Sequence, residues 1–230
     1  MNKTIYINIL LVSLLFVITA CNDSFMDKYP KTSLTEETAF ETYDNFKSFV
    51  FPLYGMFTNN NIATSLNNGF ALNGPYLGDV WAGYLTRRNN FNPYAFQTIT
   101  NASSGNGWDF SYIRHVNMML EHIDGADNLT QAEKDHWRSV GYFFHSYWYM
   151  ELVNRFGDVP WITKVLDESS PEAFGPRDDR KMVTDSILIR LKWAEENIGD
   201  FKSRDGNNTI NQDAVQAAIS RFTLREGTWR

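Results

Sequence analysis

Tyr149-Met150-Glu151-Leu152-Val153-Asn154-Arg155-Phe156-Gly157-Asp158-Val159-Pro160 is the stretch on which the fold turns. Up to Phe156 it continues an apolar stripe at helical spacing. Gly157 then offers a residue free to take the left-handed cap, and Pro160, lacking an N–H, prevents the helix from resuming. Asp158 and Pro160 read as parts of a helix-ending turn that the fold needs, not a ligand. Traced backwards, the same helix presents Trp137, Val140, Phe144, Trp148 and Leu152 on one face. It opens at Thr130-Gln-Ala-Glu133, a capping box in which Thr130 and Glu133 satisfy each other's backbone donors.

The helical period recurs on both sides. Upstream, Ile113, Val116, Leu120 and Ile123 share a face, with Gly125 near the end. Downstream, a helix from about Asp179 uses Val183, Ile187, Leu191, Ala194 and Ile198, and another covers Gln212 to Glu226 with Gly227 as its stop. These four helices pair as two αα-hairpins. Stacked hairpins predict an all-α fold of tetratricopeptide-like helical repeats, although the spacing is too loose for a clean repeat of about 34 residues. An earlier helix is expected over Thr38 to Phe57, with Phe46, Phe49, Val50, Leu53, Tyr54 and Phe57 on one stripe. Pro52 inside that stripe predicts a kink or break.

Between these helices, Thr58 to Gly107 keeps neither helical nor strand period. It is a long irregular, aromatic-rich loop insertion, with Phe70, Tyr76, Trp81, Tyr84, Phe91, Tyr94 and Phe96 set among Asn and Gly. Loops of this length are functional or disordered, and so many rings argue against disorder.

The N-terminus reads as an export signal over residues 1–20. Lys3 supplies the positive charge and Ile5 to Phe16 the apolar run, too short for a comfortable membrane span. Ile18, Thr19 and Ala20 before Cys21 resemble the lipobox of bacterial lipoproteins. That resemblance implies that Cys21 is lipidated and becomes the new N-terminus, and two or more acyl chains anchor a protein stably. Residues 21–38, polar and carrying Pro30, read as a lipidated tether, and residues 39–230 as the helical-repeat domain. Cys21 is the only cysteine, so no internal disulfide is possible and the core alone must hold the fold. The net charge of −6 becomes more acidic once Lys3 is removed, which argues against nucleic acid as a partner.

Taken together, these residues resemble the SusD/RagB family of nutrient-binding outer-membrane lipoproteins of Bacteroidetes. The stretch from Tyr149 to Pro160 is similar to that family's most characteristic segment. Cys21 to Asp27 resembles its start after the lipobox, and Ile113-Arg-His-Val-Asn117 one of its helices. Arg177 followed by Val183, Ile187 and Leu191 resembles the next helix. Ala214 to Trp229, with Ala217-Ala218, Arg221 and Leu224, resembles the helix after that. There are departures. Where the family has a Glu and an Arg-Ala pair on the central helix, this chain has Val140, His145 and Ser146; where it often has an acid, this chain has Arg190. These changes remove charge pairs that would tie neighbouring helices. Family members are also about twice as long, so the resemblance implies that residues 39–230 correspond to the family's N-terminal half; a fragment, a truncated reading frame and a natural short form all fit that length.

The resemblance implies a binding protein rather than an enzyme. It would capture a glycan, or less often a peptide, and serve as a lid on a SusC-like TonB-dependent transporter, held to the membrane through its lipid anchor and needing no cofactor. Sugar recognition needs flat rings for C–H faces and amide or carboxylate groups for hydroxyls. Trp81, Tyr84, Asn89, Phe91 and Asn92 supply that chemistry and are the expected ligand-binding residues, unless Trp81 and Tyr84 merely anchor the loop. No G-x-S-x-G, H-E-x-x-H, Walker A or dinucleotide fingerprint occurs. His115 and His122, seven apart, can share a helix face, but without a Cys or acid beside them they make a poor metal site. Two other readings stand beside glycan capture: a helical-repeat adaptor that docks the transporter without binding nutrient, and a surface glycan hydrolase.

Overall fold

Thr42, not Thr38, starts the first helix. In the computed structural model, which describes residues 39–58 and 108–227, the Thr42 side chain accepts from the Asn45 N–H at 3.3 Å and α1 runs Tyr43–Val50. Phe40 lies ahead of the helix and is still buried, its ring edge-on to Phe46 and Phe49. The apolar stripe therefore begins before the helix does. The expected break at Pro52 takes the form of a 3₁₀ turn, Phe51–Tyr54, followed by a single helical turn, α2, Gly55–Thr58. Proline is tolerated near the start of such a turn because its missing N–H would have had no helical partner there.

The remaining elements are α3 (Ser111–His122), α4 (Gln131–Phe156), a 3₁₀ turn (Pro171–Phe174), α5 (Arg180–Asn197), the single turn α6 (Lys202–Asp205) and α7 (Gln212–Glu226). No strand occurs among the described residues; Val159 and Asp178 form an isolated antiparallel bridge. α4 is the central helix, packed on α3 on one side and most extensively on α5 on the other, while α7 packs on α5 and touches α4. The two hairpins expected from the sequence are present.

α4 begins with the full capping box: the Thr130 N–H donates to Glu133 Oε2 at 2.8 Å, and the Glu133 N–H to Thr130 Oγ1 at 3.3 Å. Its last turn ends at Gly157, where φ is 72° and ψ −106°. That is a positive-φ stop but not the left-handed helical cap expected there; the left-handed cap belongs to Gly227, at φ 68° and ψ 20°. Trp137, Val140, Phe144 and Leu152 are buried as expected. Trp148 is only half-buried, and its indole N–H donates to the Asp109 carbonyl at 2.7 Å. Gly141 sits where α4 meets α3. A Cβ there would lie 2.7 Å from Met119 Cε and 2.8 Å from Leu120 Cδ2, so a side chain at this position would displace the ends of those two side chains.

Val183, Ile187, Leu191 and Ala194 of α5 are fully buried and meet Val215, Ala218 and Phe222 of α7 in the same core. Among the described residues, no helix is long and apolar enough to cross a membrane.

Candidate functional site

Trp81, Tyr84, Asn89, Phe91 and Asn92, the ligand-binding residues expected from the sequence, lie outside the described residues, as does Cys21. The described helices carry two polar constellations of their own, neither of which periodicity marked.

The first joins α1, α4 and the single turn α6. Tyr43 donates its hydroxyl to Asp205 Oδ2 at 2.7 Å, and His136 Nε2–H donates to the same oxygen at 3.1 Å. Lys47 Nζ stands 4.0 Å from Asp205 Oδ1 and donates to the Arg204 carbonyl at 2.7 Å. The Arg204 guanidinium lies over the Tyr43 ring at 3.7 Å. Burial, and then the Asp205 bond, push the Tyr43 hydroxyl far above its ordinary value, so it is a permanent donor. Burial also holds His136 below the ordinary imidazole value, outweighing the attraction of Asp205. Beside this hub is a cavity of about 290 Å³, lined by Val50, Phe51, Tyr54, Trp137, Val140 and Ile210 together with Lys47, His136, Asp205, Asn208 and Thr209. Its wall is almost wholly apolar, and Asp205 Oδ1 is itself buried. Such a space suits an apolar group; a sugar needs several convergent donors and acceptors.

The second constellation fastens the segment after α4. Residues 158–166 form a strap across the α3–α4 hairpin. The Tyr149 hydroxyl donates to the Pro160 carbonyl and accepts the Ile162 N–H, both at 2.8 Å. Asn117 Nδ2 donates to the carbonyls of Ile162 and Lys164 at 3.2 and 3.0 Å, and His145 Nε2–H donates to the Ile162 carbonyl at 2.9 Å. The Trp161 N–H donates to Asp178 Oδ2 at 2.7 Å. Arg114 donates to the Leu166 carbonyl further along. Asn117, His145 and Tyr149 are all fully buried. Asp158 and Pro160 are structural, as expected: Asp158 accepts the Arg180 N–H at the start of α5. Arg190, expected only as a departure, reaches into this cluster, with the Tyr142 ring at 4.8 Å and the Trp161 ring at 5.1 Å.

His115 and His122 do share a face of α3, and it meets phenylalanines. His115 stacks on Phe49 at 4.1 Å and His122 on Phe40 at 4.3 Å. Among the described residues, no group of three His, Cys, Asp or Glu side chains could hold a metal ion. The sequence signal for the Tyr43–His136–Asp205 hub was absent, because its members lie on three elements separated by up to 162 positions.

The fold and these constellations define an all-α protein of stacked helical hairpins. A family model for SusD-like proteins, described as starch-binding and associating with the outer membrane, matches residues 25–224, and the chain belongs to that SusD-like family. A SusD-like protein, P25, of Formosa agariphila is 20% identical over 230 residues, which cover 96% of this chain and 43% of that protein. The chain thus spans less than half the length of that relative. A crystal structure of a SusD-like protein from Bacteroides fragilis aligns over 86% of this chain and 38% of its own at 19% identity, with a TM-score of 0.52. A SusD-like carbohydrate-binding protein from Bacteroides vulgatus aligns over 54% of this chain and 28% of its own at 23% identity, with a TM-score of 0.46.

Proposed function

We propose that this chain is a lipid-anchored protein of the outer-membrane surface that captures an extracellular glycan and passes it to a SusC-like TonB-dependent transporter, without cleaving it. The observation that carries this reading is the family match over residues 25–224, whose members are described as starch-binding and associated with the outer membrane. The N-terminal sequence supports it: an export signal ends at Cys21, the only thiol available for a lipid. Trp81 and Tyr84 would stack on sugar faces while Asn89 and Asn92 bond hydroxyls, with Phe91 extending the platform.

The test is retardation of the purified mature chain in native gels cast with single polysaccharides, repeated with Trp81→Ala and Tyr84→Ala. Retardation by one glycan class, weakened by about tenfold or more in each variant as loss of a stacking platform would produce, is the expected result. No retardation across the panel, or equal retardation of the variants, overturns the assignment of these residues as the glycan site. The cavity beside Asp205 favours a second reading, an adaptor that docks the transporter and binds no nutrient, because its apolar wall suits a partner's side chain better than a sugar. Co-purification with the transporter and no glycan retardation is the outcome of that reading.

A further inference from the structure

Arg190 is a largely buried guanidinium with no ion-pair partner among the described residues. It lies between the rings of Tyr142 and Trp161, and its Nη1 has no hydrogen-bond partner among the described residues. His145, fully buried, packs on the same Trp161 ring at 4.9 Å and on the Tyr149 ring at 4.7 Å. The Nε2–H of His145 is committed to the Ile162 carbonyl of the strap. A neutral imidazole that donates from Nε2 carries its lone pair on Nδ1, and His145 Nδ1 is also without a partner among the described residues.

A second proton on His145 would have to sit on Nδ1. There it would find no acceptor, no water-exposed surface and a neighbouring positive charge. Other groups face this site. Tyr149 on α4 is neutral; Asn117 from α3 is uncharged, its Nδ2 bonded to the strap carbonyls and its buried Oδ1 without a partner among the described residues; the Asp178 carboxylate accepts the Trp161 N–H through Oδ2. Burial first, and Arg190 second, hold the imidazole well below its ordinary value of 6.5. The proton is accepted much more readily once the strap lifts and His145 meets water.

We propose that His145 and Arg190 form an acid-sensitive clasp, which holds the 158–166 strap on the α3–α4 hairpin while His145 is neutral and releases it when His145 is protonated. Because the folded-state value is depressed, the stabilisation is complete above the ordinary imidazole range. It is lost as pH falls below about 6.5, with one proton taken up per opening. Between about pH 7.5 and about pH 5 the opening equilibrium of the strap should rise up to about 30-fold, the ratio that one-proton linkage sets.

Hydrogen–deuterium exchange of the peptide covering residues 158–166, corrected for intrinsic rates, reads this directly. The mature chain should lose protection there by roughly that factor on acidification. The turn at 199–210 beside His136 serves as an internal comparison, since that second buried imidazole titrates at the other polar hub. In His145→Gln the amide still donates to the Ile162 carbonyl and cannot ionise, so the acid-dependent loss at the strap should vanish. If His145→Gln does not fold, Arg190→Met carries the test. The His145 ring, followed by NMR, should then titrate higher than in the parent chain, because a like charge has been removed. Strap protection that is unchanged by acid, a full acid response in His145→Gln, or a His145 titration indifferent to Arg190→Met would each overturn the clasp.

Discussion

Tyr149 shows how much of this fold rests on single buried polar atoms. Its one hydroxyl satisfies both the Pro160 carbonyl and the Ile162 N–H, and the side chain is fully buried. Tyr149→Phe keeps the ring packed and strands both backbone groups. It should therefore cost about 2 kcal/mol, the penalty of buried groups left unpaired, measured as a fall in the urea midpoint at unchanged slope. A loss below about 0.5 kcal/mol would mean that water replaces the hydroxyl and that the strap is looser than its hydrogen bonds imply. The sequence marked Tyr149 only as the opening of a helix-ending segment. That its hydroxyl turns back on residues 160–162 depends on where the strap folds, and no periodicity carries that information.

At the scale of elements, the start of α4 is where local sequence and structure agree most closely. The capping box was legible because it is a four-residue device whose partners are neighbours in the chain. The structure adds what lies beyond it: Arg204, from α6, donates to Glu133 Oε1 at 2.6 Å, so the cap also ties α6 to the head of α4. Thr130→Ala should destabilise the chain by about 1 kcal/mol, read from thermal or chemical unfolding. Bonds from Thr130, and then from Arg204, hold the Glu133 carboxyl below its ordinary value. Its stabilisation is present above about pH 4.5 and is lost as pH falls through the depressed folded value. Glu133→Gln should remove that acid-limb dependence; a variant that keeps it shows that another carboxylate is responsible. The first helix was misjudged at its start for the opposite reason. Phe40 continues the apolar stripe, so the pattern runs through it, while the helix itself waits for the Thr42 cap.

At the scale of the whole molecule, two imidazoles, His136 and His145, are buried and held below the ordinary value of 6.5, each chiefly by desolvation. Both add stability at neutral pH, and both lose it as pH falls below 6.5. The unfolding free energy should drop by up to about 2.7 kcal/mol per pH unit there, two protons' worth. Urea unfolding at a series of pH values reads this slope, and a flat profile from neutrality down to about pH 5 would falsify the burial of both rings in the neutral form. Where the protein resides is tested separately: Cys21→Ser should leave it soluble after detergent-free washing of membranes, whereas persistent membrane association would sink the lipid anchor. The amino-acid sequence by itself determined the class of fold, the order of its main helices, the stop after Phe156 and the family. The first three rest on residues that act on near neighbours: apolar spacing of three and four, a capping box, glycine and proline stops; the family rests on the resemblance of its motifs. Tertiary structure alone decided that Tyr43 and His136 share one oxygen of Asp205, that His115 and His122 stack on phenylalanine rings, and that Arg190 and His145 both pack on the Trp161 ring. Those pairings join positions tens of residues apart. Hydrophobic periodicity brings helices together without specifying which buried polar atoms will meet, and that is settled only by how closely each pair of helices packs.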